Sequence, residues 1–222
     1  MSNPRVVVLA IACVGALAAC SSAKSADFSH ADITNIKNVR SDFPAAYKIR
    51  DIPKTAIDPR ILEPQKLPPE IKFDPPDCAK LANQQMLPPG VKGNMAAITA
   101  EGDGSRYIAI AVETSETIPA SQPPDNCKKI EFTNGPGLRG LIESVDAPKI
   151  DGVTTQGAHR VVQTTIGGKT RTGELYNYVA RFGSFMVIVT ANPLVVADQP
   201  VAKVDTKRAS DLLTASVAAV KG

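Results

Sequence analysis

Three features of the sequence predict an α+β fold: a largely antiparallel sheet of about seven strands, with a C-terminal helix and short N-terminal helices packed on it. From Asn94 to Ala191, apolar runs of strand length alternate with Gly-containing turns. The closing segment carries an apolar stripe at helical spacing. Ahead of the strands lies a segment, 53–89, with nine of the chain's 18 prolines, too proline-rich for a central strand.

Taken in order, residues 30–40 place Ile33, Ile36 and Val39 at steps of three, which predicts a short helix that Ser41-Asp42-Phe43-Pro44 breaks. Ala45 to Ile52 reads as a strand, with Tyr47 and Ile49 on one side. Within 53–89, Asp77 as N-cap and Cys78, Leu81, Ala82 and Met86 along one face predict a helix stopped at Pro88. The rest of this segment is expected to wrap over the domain in extended form, docked by Ile61, Leu62, Leu67, Ile71 and Phe73. A disordered linker is the rival reading.

Met95–Ala100 and Ser105–Glu113 flank Glu101-Gly102-Asp103-Gly104, which has hairpin turn chemistry. In the second arm, Ile108, Ile110 and Val112 alternate with Tyr107, Ala109 and Ala111, so both faces are apolar, as in a central strand covered on two sides. Lys129–Thr133, Leu138–Val145 and Arg160–Ile166 read as further strands. The last of these turns at Gly167-Gly168 towards Gly173–Phe182. Gly183-Ser184 then leads into Phe185–Ala191, with glycine at the first loop position, where a type II′ hairpin demands it. Ala209, Leu212, Leu213, Ser216, Val217 and Val220 form the stripe of the closing helix, capped by Asp205 or Thr206.

The N-terminus has a different character. One charge, Arg5, precedes 14 uncharged residues, Val6 to Ala19, too few to cross a bilayer that needs about 20 helical residues. A charged start, a short apolar run and small residues at its end describe a secretory signal, residues 1–19. The ending Leu17-Ala18-Ala19-Cys20 resembles the lipobox of bacterial lipoproteins. That resemblance implies cleavage before Cys20 and acylation of its sulfur; an ordinary signal peptide is the alternative. Two or more acyl chains anchor a protein stably where one does not. Residues 20–29 begin with the small, polar stretch Ser21 to Ala26 and read as a tether. Residues 30–222 form the expected single domain. The expected location is therefore the cell membrane, lipid-anchored on its extracytoplasmic face, with the membrane itself as partner through acylated Cys20.

Removal of residues 1–19 leaves 203 residues, enough for one domain with a real core, and a formal charge of +2. No basic run with interleaved aromatics appears, so nucleic acid is not an expected partner. Cys13 leaves with the signal and Cys20 is the lipid site, so Cys78 and Cys127 remain. In an oxidising compartment two cysteines most simply pair with each other.

Several stretches together carry a family resemblance. They are Asp42-Phe43-Pro44-Ala45-Ala46-Tyr47, Pro75-Pro76-Asp77-Cys78, the second cysteine at 127, Tyr178-Val179-Ala180-Arg181-Phe182-Gly183 and the closing helix. Over residues 30–222 the chain resembles a family of mycobacterial and related actinobacterial lipoproteins known mainly as a domain of unknown function. The layout is more loosely similar to the disulfide-stapled extracellular sensor domain of a mycobacterial Ser/Thr kinase. Fold-level similarity of this kind does not assign an activity.

Gly135-Pro136-Gly137-Leu138-Arg139-Gly140 matches G-x-G-x-x-G, but Pro136 stiffens it and a strand follows, so a turn is the expected structure. No G-x-S-x-G is present. His159 reads as a loop or strand-edge histidine rather than a general base, and Glu101 and Asp103 as turn residues. His30 and His159 show no metal-ligand spacing to a cysteine. The expectation is a non-catalytic binding or sensing module without cofactor, for an envelope lipid or glycolipid. A scaffold that binds another envelope protein is the alternative, and an envelope hydrolase ranks below both. Phe182, Phe185 and Met186 are candidates for a cleft or, with better reason, for the core.

Overall fold

The structure, a computed structural model, describes residues 28–58, 67–68, 70–83, 86–88, 90–120, 122–196 and 200–222. The apolar lead 1–19, Cys20 and the tether as far as residue 27 lie outside the described residues, as do Ile61 and Leu62.

Among the described residues nine strands form one antiparallel sheet. They are β1 (Lys48–Ala56), β2 (Lys72–Asp74), β3 (Gly93–Gly102), β4 (Ser105–Thr114), β5 (Lys129–Asn134), β6 (Leu138–Val145), β7 (Thr154–Ile166), β8 (Lys169–Phe182) and β9 (Phe185–Pro193). Their spatial order is β1-β3-β4-β9-β8-β7-β6-β5-β2. Two α-helices, α1 (Ala79–Ala82) and α2 (Thr206–Lys221), join 3₁₀ segments at Ile33–Asp42, Pro76–Cys78 and Asp125–Cys127. The α+β class and its antiparallel sheet are as expected, with nine strands rather than about seven.

The N-terminal helix is of the 3₁₀ type because its apolar residues recur every three positions. In that geometry residues i and i+3 eclipse, so Ile33, Ile36 and Val39 form one buried row. Asp32 caps it, its carboxylate accepting from the Thr34 N–H at 2.8 Å. α2 buries the six residues of its expected stripe, and Asp205 accepts from the Arg208 N–H at 2.9 Å. Together the N-terminal 3₁₀ helix and α2 cover one face of β1, β3, β4, β9 and β8. The main core lies beneath them, including Ile98, Tyr107, Val187, Val189, Tyr178, Phe182 and Phe185.

Strand alternation puts a second core on the opposite face, with Met95, Ala97, Ile110, Val112, Val179, Met186 and Ile188. Phe182, Phe185 and Met186 are thus core residues. Consecutive strands β1 and β2 occupy the two opposite edges of the sheet. The Pro-rich segment therefore contributes edges rather than a central strand. Pro53 lies in β1 where the register shifts between Ile52 and Thr55, the kind of edge irregularity that tolerates a missing N–H.

Several boundaries differ from expectation. The first strand starts at Lys48 rather than Ala45, because a turn, with the Tyr47 N–H donating to Pro44 O at 3.0 Å, still holds the chain there. The helix near Asp77 is a 3₁₀ turn followed by the four residues of α1, with Pro75 rather than Asp77 in the cap position. β7 and β8 begin earlier than expected and run as a long hairpin, from Thr154↔Arg181 to Ile166↔Lys169. Its turn takes φ 57° at Gly167 and 75° at Gly168, a conformation that glycine adopts without a Cβ penalty.

Candidate functional site

The face of the sheet that α2 leaves uncovered carries a cavity of about 1030 Å³. Its floor follows from the two-residue period of β7 and β8: Gln156 and Ala158 on one strand, Asn177, Val179 and Arg181 on the next, all on the side opposite Tyr178 and Ala180. One wall is Leu81 and Ala82 of α1 with Met86, Leu87 and Pro88, the end of the Pro-rich segment. A second comes from Ile118, Pro119 and Pro123, and a third from Ile130 and Ile142 of β5 and β6. Proline-rich walls suit the purpose, since they bring apolar surface without backbone donors to satisfy.

A disulfide fixes two of these walls to each other. Cys78 and Cys127 are joined, with Cα atoms 5.5 Å apart and both residues buried. Cys127 itself lines the cavity, and Cys78 immediately precedes α1. Ile130 packs on the disulfide, and Phe73, Leu81, Ala82 and Ile142 close around it.

Several polar groups of the lining are paired with each other. Lys128 meets Asp125 at 2.7 Å. The Arg181 Nη1 donates to Gln156 Oε1 at 2.7 Å, while its Nε is shielded from solvent with no hydrogen-bond partner. Burial pushes the Arg181 guanidinium below its ordinary pKa. A guanidinium in that position still carries its charge.

His159 lies on the other face, in the middle of β7 rather than at a strand edge or in a loop. Its Nδ1 is 2.8 Å from Glu143 Oε1 and its Nε2 2.9 Å from Glu174 Oε1, tying three adjacent strands together. Both ring nitrogens are occupied, which leaves none for a substrate proton. Burial, and then a hydrogen bond with Glu174, raises the neighbouring Tyr176 to about 12. Asp103 and Glu101 likewise have local duties: Asp103 accepts from the Tyr47 hydroxyl at 2.8 Å, and Glu101 from Arg106 at 2.7 Å. Gly135 and Gly137 form the β5–β6 turn, while Gly140 lies within β6, where a Cβ would strike the Phe132 ring. Among the described residues no group of three metal-ligating side chains converges, and no helix is long and apolar enough to cross a membrane.

Arg181 and Gln156 are the site residues that sequence reasoning passed over. The signal for Arg181 was present: a charge between Ala180 and Phe182, inside an apolar strand, is an anomaly that period-two alternation assigns to the face away from α2. Gln156 gave no comparable signal.

The fold and cavity define a class of protein: a single-sheet α+β domain, helical on one face, with a disulfide-walled cavity on the other. The chain belongs to the family described as "Domain of unknown function (DUF5642)", which matches residues 32–221. It is similar to the X-ray structure of a putative uncharacterized protein (Rv0999 ortholog) from Mycobacterium smegmatis. That match has 53% identity and a TM-score of 0.83, and covers 88% of this chain and 100% of the other. A looser likeness, with 10% identity and a TM-score of 0.37, is to the extracellular domain of PknH from Mycobacterium tuberculosis, covering 88% of this chain and 98% of that one. No curated protein matches the chain.

Proposed function

We propose that this protein is a lipoprotein anchored through Cys20 on the extracytoplasmic face of the membrane, and that its domain is a non-catalytic module that binds or senses an amphiphilic envelope ligand, a lipid or glycolipid. The observation that carries the binding reading is the cavity of about 1030 Å³, which combines apolar walls of Leu, Ile, Met, Val and Pro side chains with polar and charged residues. Binding pockets for small molecules are typically about 300–1,000 Å³ and largely apolar with a few placed polar groups. The lipobox-like Leu17-Ala18-Ala19-Cys20 supports the anchor. The Cys78–Cys127 disulfide is in keeping with an oxidising compartment.

Two experiments test the reading. Native mass spectrometry of protein purified from its own membrane is expected to show bound lipid mass; a uniformly ligand-free mass would favour the scaffold reading instead. Cys20→Ala is expected to abolish acyl mass and detergent partitioning. If the variant still partitions like the parent, the anchor is elsewhere.

A further inference from the structure

The cavity's chemistry narrows the ligand further than its apolar walls do. A guanidinium carries five N–H donors. Arg181 uses Nη1 on Gln156, while its Nε is buried without a partner. Asp125, Glu143 and Asp146 also belong to the lining, Glu143 with its carboxylate turned to His159 on the other face, yet none forms an ion pair with Arg181 among the described residues. Asp125 is taken by Lys128 at 2.7 Å, and Glu143 by His159 at 2.8 Å. Asp146 and Lys149, one of each sign, are exposed residues of the same lining. The floor thus holds one charge without a carboxylate partner among the described residues. Such a charge is costly beside apolar walls, and a bidentate acid group offsets that cost best.

We propose that the cavity takes an anionic amphiphile, a carboxylate or phosphate on an alkyl tail, with its acid group on Arg181 and its tail along Val179, Ile118, Met86 and Leu87. This rests on the ligand-binding reading above and adds a head group to it. The cavity has room for one chain and one head, being at the upper end of the range for a single drug-sized ligand. Gln156 holds the guanidinium from one side, so the fork is oriented before the ligand arrives. The apolar tail gives affinity, and the arginine gives the choice of head.

The test is equilibrium dialysis of the full chain against hexadecanoate, hexadecyl phosphate and hexadecanol, with the parent, Arg181→Gln and Arg181→Lys. The parent should bind at least one of the two acids about tenfold or more tightly than the alcohol, and Arg181→Gln should erase that preference. Arg181→Lys should keep part of the preference, since it keeps the charge but loses the fork. Whichever acid is preferred identifies the head as carboxylate or phosphate. Equal binding of acids and alcohol by the parent overturns the head-group assignment and leaves the binding reading standing. So does a preference that survives in Arg181→Gln. Binding of none of the three overturns both. Where Arg181→Gln fails to fold, Arg181→Lys gives the second readout: a preference for the acids undiminished in it overturns the assignment.

Discussion

The rings of His159 and Tyr176 lie face to face, with centroids 4.2 Å apart and planes 9° from parallel. With Glu143 and Glu174 on its two nitrogens, the imidazole is a cross-strand tie over β6, β7 and β8. His159→Ala removes the stack and both polar contacts, and leaves two carboxylates on neighbouring strands without the group between them. The expected loss of stability is about 1–3 kcal/mol, read by urea denaturation. Alkyl-probe binding should not change, because the period of β7 turns His159 away from the cavity floor formed by Ala158 and Gln156. A variant of unchanged stability that no longer binds would assign His159 to the ligand instead.

Tyr47 explains much of the Asp42–Tyr47 motif in structural terms. Its ring lies against Gly102, where a Cβ would strike it, and packs with Phe43 and Tyr107 at centroid distances of 5.4 and 6.4 Å. Burial first, and then the hydrogen bond to Asp103, pushes Tyr47 up to about 12 from an ordinary 10.0. A raised phenol holds its proton more tightly in the folded state. Its contribution is therefore complete below pH 10 and is lost as pH climbs through about 12. Tyr47→Phe should cost about 1 kcal/mol at neutral pH through the lost hydrogen bond, and should make the alkaline decline shallower. An unaltered alkaline limb, measured by denaturation midpoints across pH 9–12, would show that another group governs it.

The Asp205 cap isolates the end of α2 from its apolar stripe. Asp205→Ala should cost about 1 kcal/mol, the usual value for losing an N-cap acceptor, whereas Leu213→Ala, fully buried under the same helix, should cost about 2–5 kcal/mol. Thermal midpoints of the two variants check the order. The reverse order would place the helix's stability in its terminus rather than in its packing.

How far these features were legible in the sequence depends on the range of the interaction that makes them. Local signals were enough for α2, for the glycine turns and for the apolar strands, because a stripe, a φ requirement or an alternation lies within a few residues. β2 was not legible: Lys72-Phe73-Asp74 has one apolar residue, and it becomes a strand only because Phe73 pairs opposite Phe132. The early start of β7 was hidden by Gly157, which has no side chain to show in a pattern. That glycine lets Val145 O approach where a Cβ would clash. The placement of β1 and β2 on opposite edges is a tertiary outcome with no local mark. The cavity is of the same kind, since its walls come from segments far apart in the chain, while Arg181 on its floor did leave a local anomaly.

The disulfide joins stability to the site. Cys78 and Cys127 are 49 residues apart, and closing such a loop stabilises a fold by on the order of 4 kcal/mol through the entropy of the unfolded chain. Both thiols should resist alkylation in folded, exported protein until a reductant is added, and free thiols in that protein would remove the staple from the account. In the double variant Cys78→Ala, Cys127→Ala the wall formed by α1 is no longer held to the start of β5. Hexadecanol and hexadecanoate should then lose affinity together, several-fold each. Arg181→Gln should weaken the acid more than the alcohol; loss of the staple should weaken them in parallel, because it loosens the walls that hold the tail and leaves the guanidinium that selects the head. If the stapleless variant unfolds earlier yet binds both probes as the parent does, the disulfide serves the fold alone and the cavity wall is held by the packing of Leu81, Ile130 and Ile142.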